Sequence, residues 1–252
     1  MLDAPAAKAE AVRRLAGDWA AGALTTVSSE VPAEIPEPGR PSAPPLVHPR
    51  ALKPRKLHTP GGHAAFVHAL AHIEFNAINL ALDAVYRFRE MPADFFRDWI
   101  SVAEEEVYHF ELLAGHLETL GHAYGDFPAH NGLWEMALRT ADDPLLRMAL
   151  VPRVMEARGL DVTPPMIERL QRHGDMRGAE ILGIILRDEV GHVAIGNRWY
   201  HWLCEQRGLD PATTFLRLVR DYLPGRVKGP FHRAARLDAG FTEQELQQLE
   251  KL

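Results

Sequence analysis

Two short runs hold the residues best suited to chemistry, Glu104-Glu105-Glu106-Val107-Tyr108-His109 and Arg187-Asp188-Glu189-Val190-Gly191-His192. Each ends in Glu-x-x-His with an acid directly before the glutamate. On a helix, residues three apart share a face, with Cβ atoms roughly 5–6 Å apart. Glu106 with His109, and Glu189 with His192, can therefore each aim one oxygen and one nitrogen at a common point. That donor mix suits iron or manganese rather than a thiolate-seeking ion. Glu-x-x-His arises often by chance, so one copy means little. Two copies in long helical stretches, preceded by the lone glutamates Glu74 and Glu156, form a pattern.

The elements that must position these residues follow from periodicity and from helix breakers. A helix is predicted over residues 63–89, where Val67, Leu70, Ala71, Ile78, Ala81 and Val85 follow the 3.6 period and Glu74 falls on the same stripe. Met91-Pro92 breaks it, and a second helix runs over 93–120. Its inward face holds Trp99, Val102, Ala103, Phe110, Leu113, Leu117 and Leu120 together with Glu106, and Gly121 supplies the stop. After a loop at 122–132 and a short helix at 133–139, Asp142-Asp143-Pro144 opens a third helix toward Ala157. Pro152, four residues before Glu156, should bend that helix or free a carbonyl. Gly159 and Pro164-Pro165 are expected to interrupt it, with a short helix resuming over 166–172. The fourth long helix spans 175–206 and ends at Gly208. Shorter helices are expected over 211–222, 231–239 and 242–252, the last with Thr242-x-x-Glu245 as a capping box.

Ahead of the bundle, residues 6–24 read as an Ala-rich amphipathic helix. Nine of the chain's 19 prolines then fall between Pro32 and Pro60, which forbids regular helix and favours an extended strap or arm. No strand pattern is present, so the fold class is all-α, a four-helix bundle with extra N- and C-terminal helices. Three segments result: 1–60, the N-terminal helix and Pro-rich strap; 61–208, the bundle; and 209–252, a C-terminal helical extension.

The spacing places the acids against one another. Glu74 precedes Glu106 by 32 residues and Glu156 precedes Glu189 by 33. The midpoints fall beside the Met91-Pro92 break and beside Gly174. Two antiparallel hairpins turning there would level each lone glutamate with its Glu-x-x-His. Packed together they present four carboxylates and two imidazoles, the inventory of a di-metal site inside a four-helix bundle. The alternative, solvated helix glutamates, is the reading for Glu104, Glu118 and Glu180. It is a poor one for Glu74, Glu106, Glu156 and Glu189 together, because unpaired buried carboxylates are costly. Metal-bound histidines usually donate their second N–H to a carboxylate; in a crossed arrangement Asp188 would orient His109, and Glu105 would orient His192. Tyr108 is read as a packing residue rather than a redox-active phenol. His72, near His63 and His68, points away from the ligand face. Trp99, Trp134, Trp199 and Trp202 read as core or interface.

Composition narrows the classes. The 252 residues are 46% hydrophobic and 25% charged, ordinary for a globular protein, and the net charge of −6 argues against a general nucleic-acid binder. A basic stretch from His48 and Arg50 through Lys53, Arg55 and Lys56 is the local exception, or a solvated linker. Cys204 is the single cysteine, so neither an intrachain disulfide nor a thiolate metal cluster can form. No uninterrupted apolar run approaches ~18 residues and no signal-peptide core is present, so a soluble cytoplasmic protein without membrane contact is expected. Phosphate-binding glycine loops, a Gly-x-Ser-x-Gly elbow and cysteine zinc spacings are all missing.

At these residues the chain resembles the ferritin-like di-iron carboxylate superfamily over about residues 60–206. Four runs carry a closer likeness, to a bacterial family of uncharacterised ferritin-like proteins distantly related to rubrerythrin and di-iron hydroxylases: residues 71–74 (Ala-His-Ile-Glu), 121–130 (from Gly121 to His130), 151–161 (from Val151 to Asp161) and 187–194 (from Arg187 to Ala194). The superfamily's ligand pattern falls on Glu74, Glu106, His109, Glu156, Glu189 and His192, with no position missing. The resemblance implies two iron ions, or a manganese–iron pair. It also implies O2 activation to oxidise or hydroxylate a small organic substrate, with an external electron donor; a homodimer is the candidate assembly. Two other readings compete: ferroxidase, iron-storage or peroxide-scavenging activity, and a helical scaffold in which a metal merely staples the core.

Overall fold

The computed structural model describes residues 2–25, 30–52, 56–225 and 227–251. It is all-helical, with no strand among the described residues and a single isolated parallel bridge between Leu46 and Ala129. The chain divides into two compact units, Met1–Leu138 and Arg139–Leu252. Lys53 and Arg55 of the basic stretch lie outside the described residues.

The first unit is built on a hairpin of α2 (Pro60–Arg87) and α3 (Ala93–Thr119). Thr59 starts α2 by accepting a hydrogen bond from the Gly62 N–H, with Pro60 in the first turn. Gly121, at φ 78°, ends the second arm. The pairing is antiparallel: Phe88 meets Phe95, Phe75 meets Phe110 and His63 meets His116, the numbers falling on one arm as they rise on the other. Of the stripe expected on α2, Val67, Ala71, Ile78 and Ala81 are buried while Leu70 and Val85 are half-buried. Among the described residues this is the one helix long and apolar enough to cross a membrane, yet 67% of its most apolar window is buried, which marks a core helix.

The N-terminal helix α1 (Pro5–Ala20) packs on this hairpin through Trp19 against Phe96 and the Arg13–Glu111 ion pair. It stops before the expected end at 24, because Gly22 turns into the left-handed region at φ 68°. The proline-rich segment is a docked strap. Its contacts run from Ala33 N–H to the Tyr86 hydroxyl, from the Trp134 indole N–H to the Pro36 carbonyl, and from Lys8 to the Gly39 carbonyl. A short α4 (Gly132–Arg139) ends the unit.

The second unit opens with α5 (Pro144–Leu150), capped by Asp143 as expected, then passes through a π-turn, Val151–Glu156, into α6 (Ala157–Arg172). The interruption expected at Gly159 and Pro164-Pro165 does not occur: α6 runs through both prolines. They forgo bonds to the carbonyls of Leu160 and Asp161, but buried Ala157, Leu160, Asp161, Thr163 and Leu170 hold the helix against its neighbours. Gly174, at φ 82°, makes the sharp reversal into α7 (Met176–Gln206), whose N-cap Asp175 accepts from the Gly178 N–H. The unit ends with α8 (Pro211–Tyr222), α9 (Arg233–Asp238) and α10 (Glu243–Leu249), and the Thr242/Glu245 capping box is formed.

Candidate metal centre

Glu74 on α2 and Glu106 and His109 on α3 meet inside the first hairpin. Their exposures are 5%, 1% and 0%, and one ligand atom from each lies within 4.8 Å of the others. The His109 Nδ1 is 3.4 Å from Glu106 Oε2 and 3.7 Å from Glu74 Oε2. Burial by itself disfavours a charged imidazole here. The hydrogen bonds and negative charge of Glu106 and Glu74 outweigh it and raise the His109 pKa to about 11. Two dehydrated carboxylates thus create a potential strong enough to keep a proton on an imidazole far above neutrality. The same potential suits a divalent cation. Ligand atoms around one such ion, each at roughly 2.0–2.2 Å, are at most about 4.4 Å apart, so the observed cluster fits an ion with small adjustments.

The second unit holds the other copy of the pattern. His192 is buried on α7 with its Nδ1 3.4 Å from Glu189 Oε1, and the Glu189 side chain is 12% exposed. Gly196 packs on Pro152: a Cβ at Gly196 would lie 2.3 Å from the Pro152 Cβ. Glu156 and His192 each lie four residues along the chain from that contact. Glu156 closes the π-turn and is half-buried. The turn itself answers the expectation for Pro152. Lacking an N–H, that residue lets the ladder skip one position, and the Ala157 N–H bonds five residues back to the Pro152 carbonyl.

The residues proposed to orient the histidines are placed as follows. Asp188 is held by its neighbour Arg187 at 2.9 Å, and Glu105 is exposed. Tyr108 is 46% exposed, which removes the packing role expected for it; it lies on the outer face of α3, one residue from a ligand but 100° around the helix. Glu104, Glu118 and Glu180 are exposed, as read. Trp99, Trp134 and Trp199 are buried and Trp202 is half-buried.

His72, read as pointing away from the ligand face, has a structural role, and two buried ion pairs escaped the sequence reading. His72 is bonded through Nδ1 to the Tyr124 hydroxyl at 2.9 Å and through Nε2 to the His130 carbonyl at 3.1 Å, closing one end of the first hairpin. Arg153 pairs with Glu245, and Arg236 with Asp161, both fully inside the second unit. Arg153 was detectable in principle: it stands three residues before Glu156, on the same inward face, where an unpaired guanidinium is untenable.

A family profile described as "Protein of unknown function (DUF455)" matches residues 1–247, so the chain belongs to that family. It is similar to a Haemophilus influenzae protein named only "Uncharacterized protein", with 52% identity over 213 residues, covering 82% of this chain and 74% of the relative. No solved structure matches the chain.

Proposed function

We propose, with this family membership as the premise, that the protein is a ferritin-like di-iron (or manganese–iron) carboxylate enzyme that uses O2 to oxidise or hydroxylate a small organic substrate. The observation that carries the proposal is the buried Glu74–Glu106–His109 cluster, repeated in kind by Glu189 and His192. In this reading the two hairpins form one four-helix bundle, and Glu74, Glu106, His109, Glu156, Glu189 and His192 are the ligands. The metal pair, when bound, supplies the electron transfer to O2.

The chain's own part is to bind, orient and exclude water. Four carboxylates would balance the charge of two divalent ions, and two imidazoles would complete the donor set. Phe75 and Phe110, next in sequence to Glu74 and His109, pack with Tyr124 in tilted and edge-on contacts at 5.0–5.5 Å between ring centres, apolar bulk that in this reading would help exclude water. The π-turn beside Glu156 widens the helix locally, the kind of irregularity found where helices serve a site. An external electron donor and a cytoplasmic setting accompany this reading, with a homodimer as the candidate assembly.

The test uses anaerobic protein loaded with Fe(II), its metal content measured, then mixed with O2. The expected result is two ions per chain, rapid O2 uptake and a new near-ultraviolet absorbance. Two bound ions with no O2 uptake would reject the enzyme and leave a metal-stapled scaffold. Uptake accompanied by many ferric ions per chain in a cage-sized particle would transfer the assignment to iron storage.

A further inference from the structure

We propose that α9 and α10 form a two-point clamp that holds the π-turn, and with it the Glu156 carboxylate, in place for metal. This rests on reading Glu156 as a ligand. A π-turn has poorer backbone geometry than an α-helix and persists where its surroundings hold it. Here it is gripped on both sides of Glu156 by residues of the C-terminal segment.

The grip before Glu156 is Arg153. Its guanidinium is wholly buried, 4.3, 4.1 and 4.9 Å from the ring centres of Tyr200, Phe215 and Phe241, and ion-paired to Glu245 of α10. The other Glu245 oxygen accepts from the Thr242 N–H at 2.9 Å and the Thr242 hydroxyl at 3.0 Å. One carboxylate therefore caps α10 and anchors the π-turn, so forming the helix and holding the turn are coupled. The grip after Glu156 is Arg236 of α9. It donates to the Ala157 carbonyl at 3.2 Å and to the two Asp161 oxygens at 2.9 and 2.8 Å. Phe241 joins the two grips, its ring lying 4.9 Å from the Arg153 guanidinium and 5.1 Å from that of Arg236.

Buried ion pairs add little stability over apolar residues of the same volume, whereas a charge-assisted, multiply bonded guanidinium fixes position closely. Two such pairs flanking one carboxylate therefore argue for placement of that carboxylate. Glu245 is a positioning residue, acting on Glu156 through Arg153, and the C-terminal extension has its role in the metal site.

The experiment uses the full chain carrying Glu245→Gln. A second variant, Arg153→Met with Glu245→Met, keeps the cage filled without burying an unpaired charge, so that it folds. Amide exchange by mass spectrometry reads residues 151–157 against α2 and α3, while Co(II) titration reads metal affinity and the visible spectrum of the bound ion. Exchange in 151–157 should rise at least tenfold with α2 and α3 unchanged. One of two Co(II) ions should bind at least tenfold more weakly, with an altered spectrum. Unchanged exchange overturns the clamp; raised exchange with both ions bound at unaltered affinity and spectrum overturns the positioning role. Should the wild-type protein bind no metal, the proposed function falls on its own, and the exchange result alone decides whether the C-terminal segment holds the turn.

Discussion

At the level of single residues, burial and hydrogen bonding decide which histidines carry charge. Without metal, His109 is buried between two carboxylates that raise its pKa to about 11. His68 is buried without such partners. Its Nε2 accepts the Gly125 N–H at 3.0 Å, which leaves the proton on Nδ1. Burial lowers its pKa from 6.5 to about 4, against a smaller opposing pull from Asp126. The folded pKa lies below the unfolded one, so the unfolded chain takes up the proton first as pH falls. The stability contribution is complete above pH 6.5 and is lost progressively toward pH 4, an effect of about 2 kcal/mol. Urea denaturation at pH 7 and pH 4.5 should therefore show a drop in wild type that is smaller by about that amount in His68→Gln. Equal drops in the two proteins would contradict the assignment.

At the level of elements, two glycines of α7 should respond oppositely to the same change. A Cβ at Gly196 would lie 2.3 and 2.4 Å from the Pro152 ring atoms, whereas one at Gly183 meets nothing within 4 Å. Gly196→Ala is expected to destabilise by roughly 1–3 kcal/mol through overpacking. Gly183→Ala should stabilise by about 0.5–1 kcal/mol, because alanine loses less backbone entropy in a helix. Equilibrium unfolding of both variants checks the pair, and similar stabilities would mean that the π-turn yields freely. The hairpins themselves were legible from spacing, since helix period and breakers are local properties of the chain. Residues 164–165 show the limit of that reading. Prolines remove helix bonds locally, but burial of Leu160, Asp161 and Leu170 at a distance in sequence keeps α6 continuous.

For the whole molecule, the proposed metal pair makes folding and loading one equilibrium. A ligand that binds only the folded chain stabilises it by RT ln(1 + [L]/Kd), about 2.7 kcal/mol at a hundred times Kd. In the proposed site both hairpins would supply acids and an imidazole, so loading should raise the melting temperature of the chain as a whole, and chelation should lower it by several degrees. Calorimetry on metal-loaded and chelated protein reads this directly. A loaded protein that melts in two transitions, with only one sensitive to chelator, would show that the ligands are not shared.

The two hairpins and the all-helical class were determined by the sequence, which also nominates the six ligand candidates, because a three-residue interval, a 3.6-residue stripe and a Pro or Gly breaker act through neighbouring residues. Tertiary structure alone decided three other things. It placed Tyr108 at the surface, since the apolar stripe of α3 faces α2 and turns that side chain outward. It converted the Pro152 bend into a π-turn seated against Gly196. It also brought Arg153 to Glu245 and Asp161 to Arg236 across 92 and 75 residues of chain. Pairings at that separation have no period to announce them; they exist because a buried charge is costly unless packing brings it a partner.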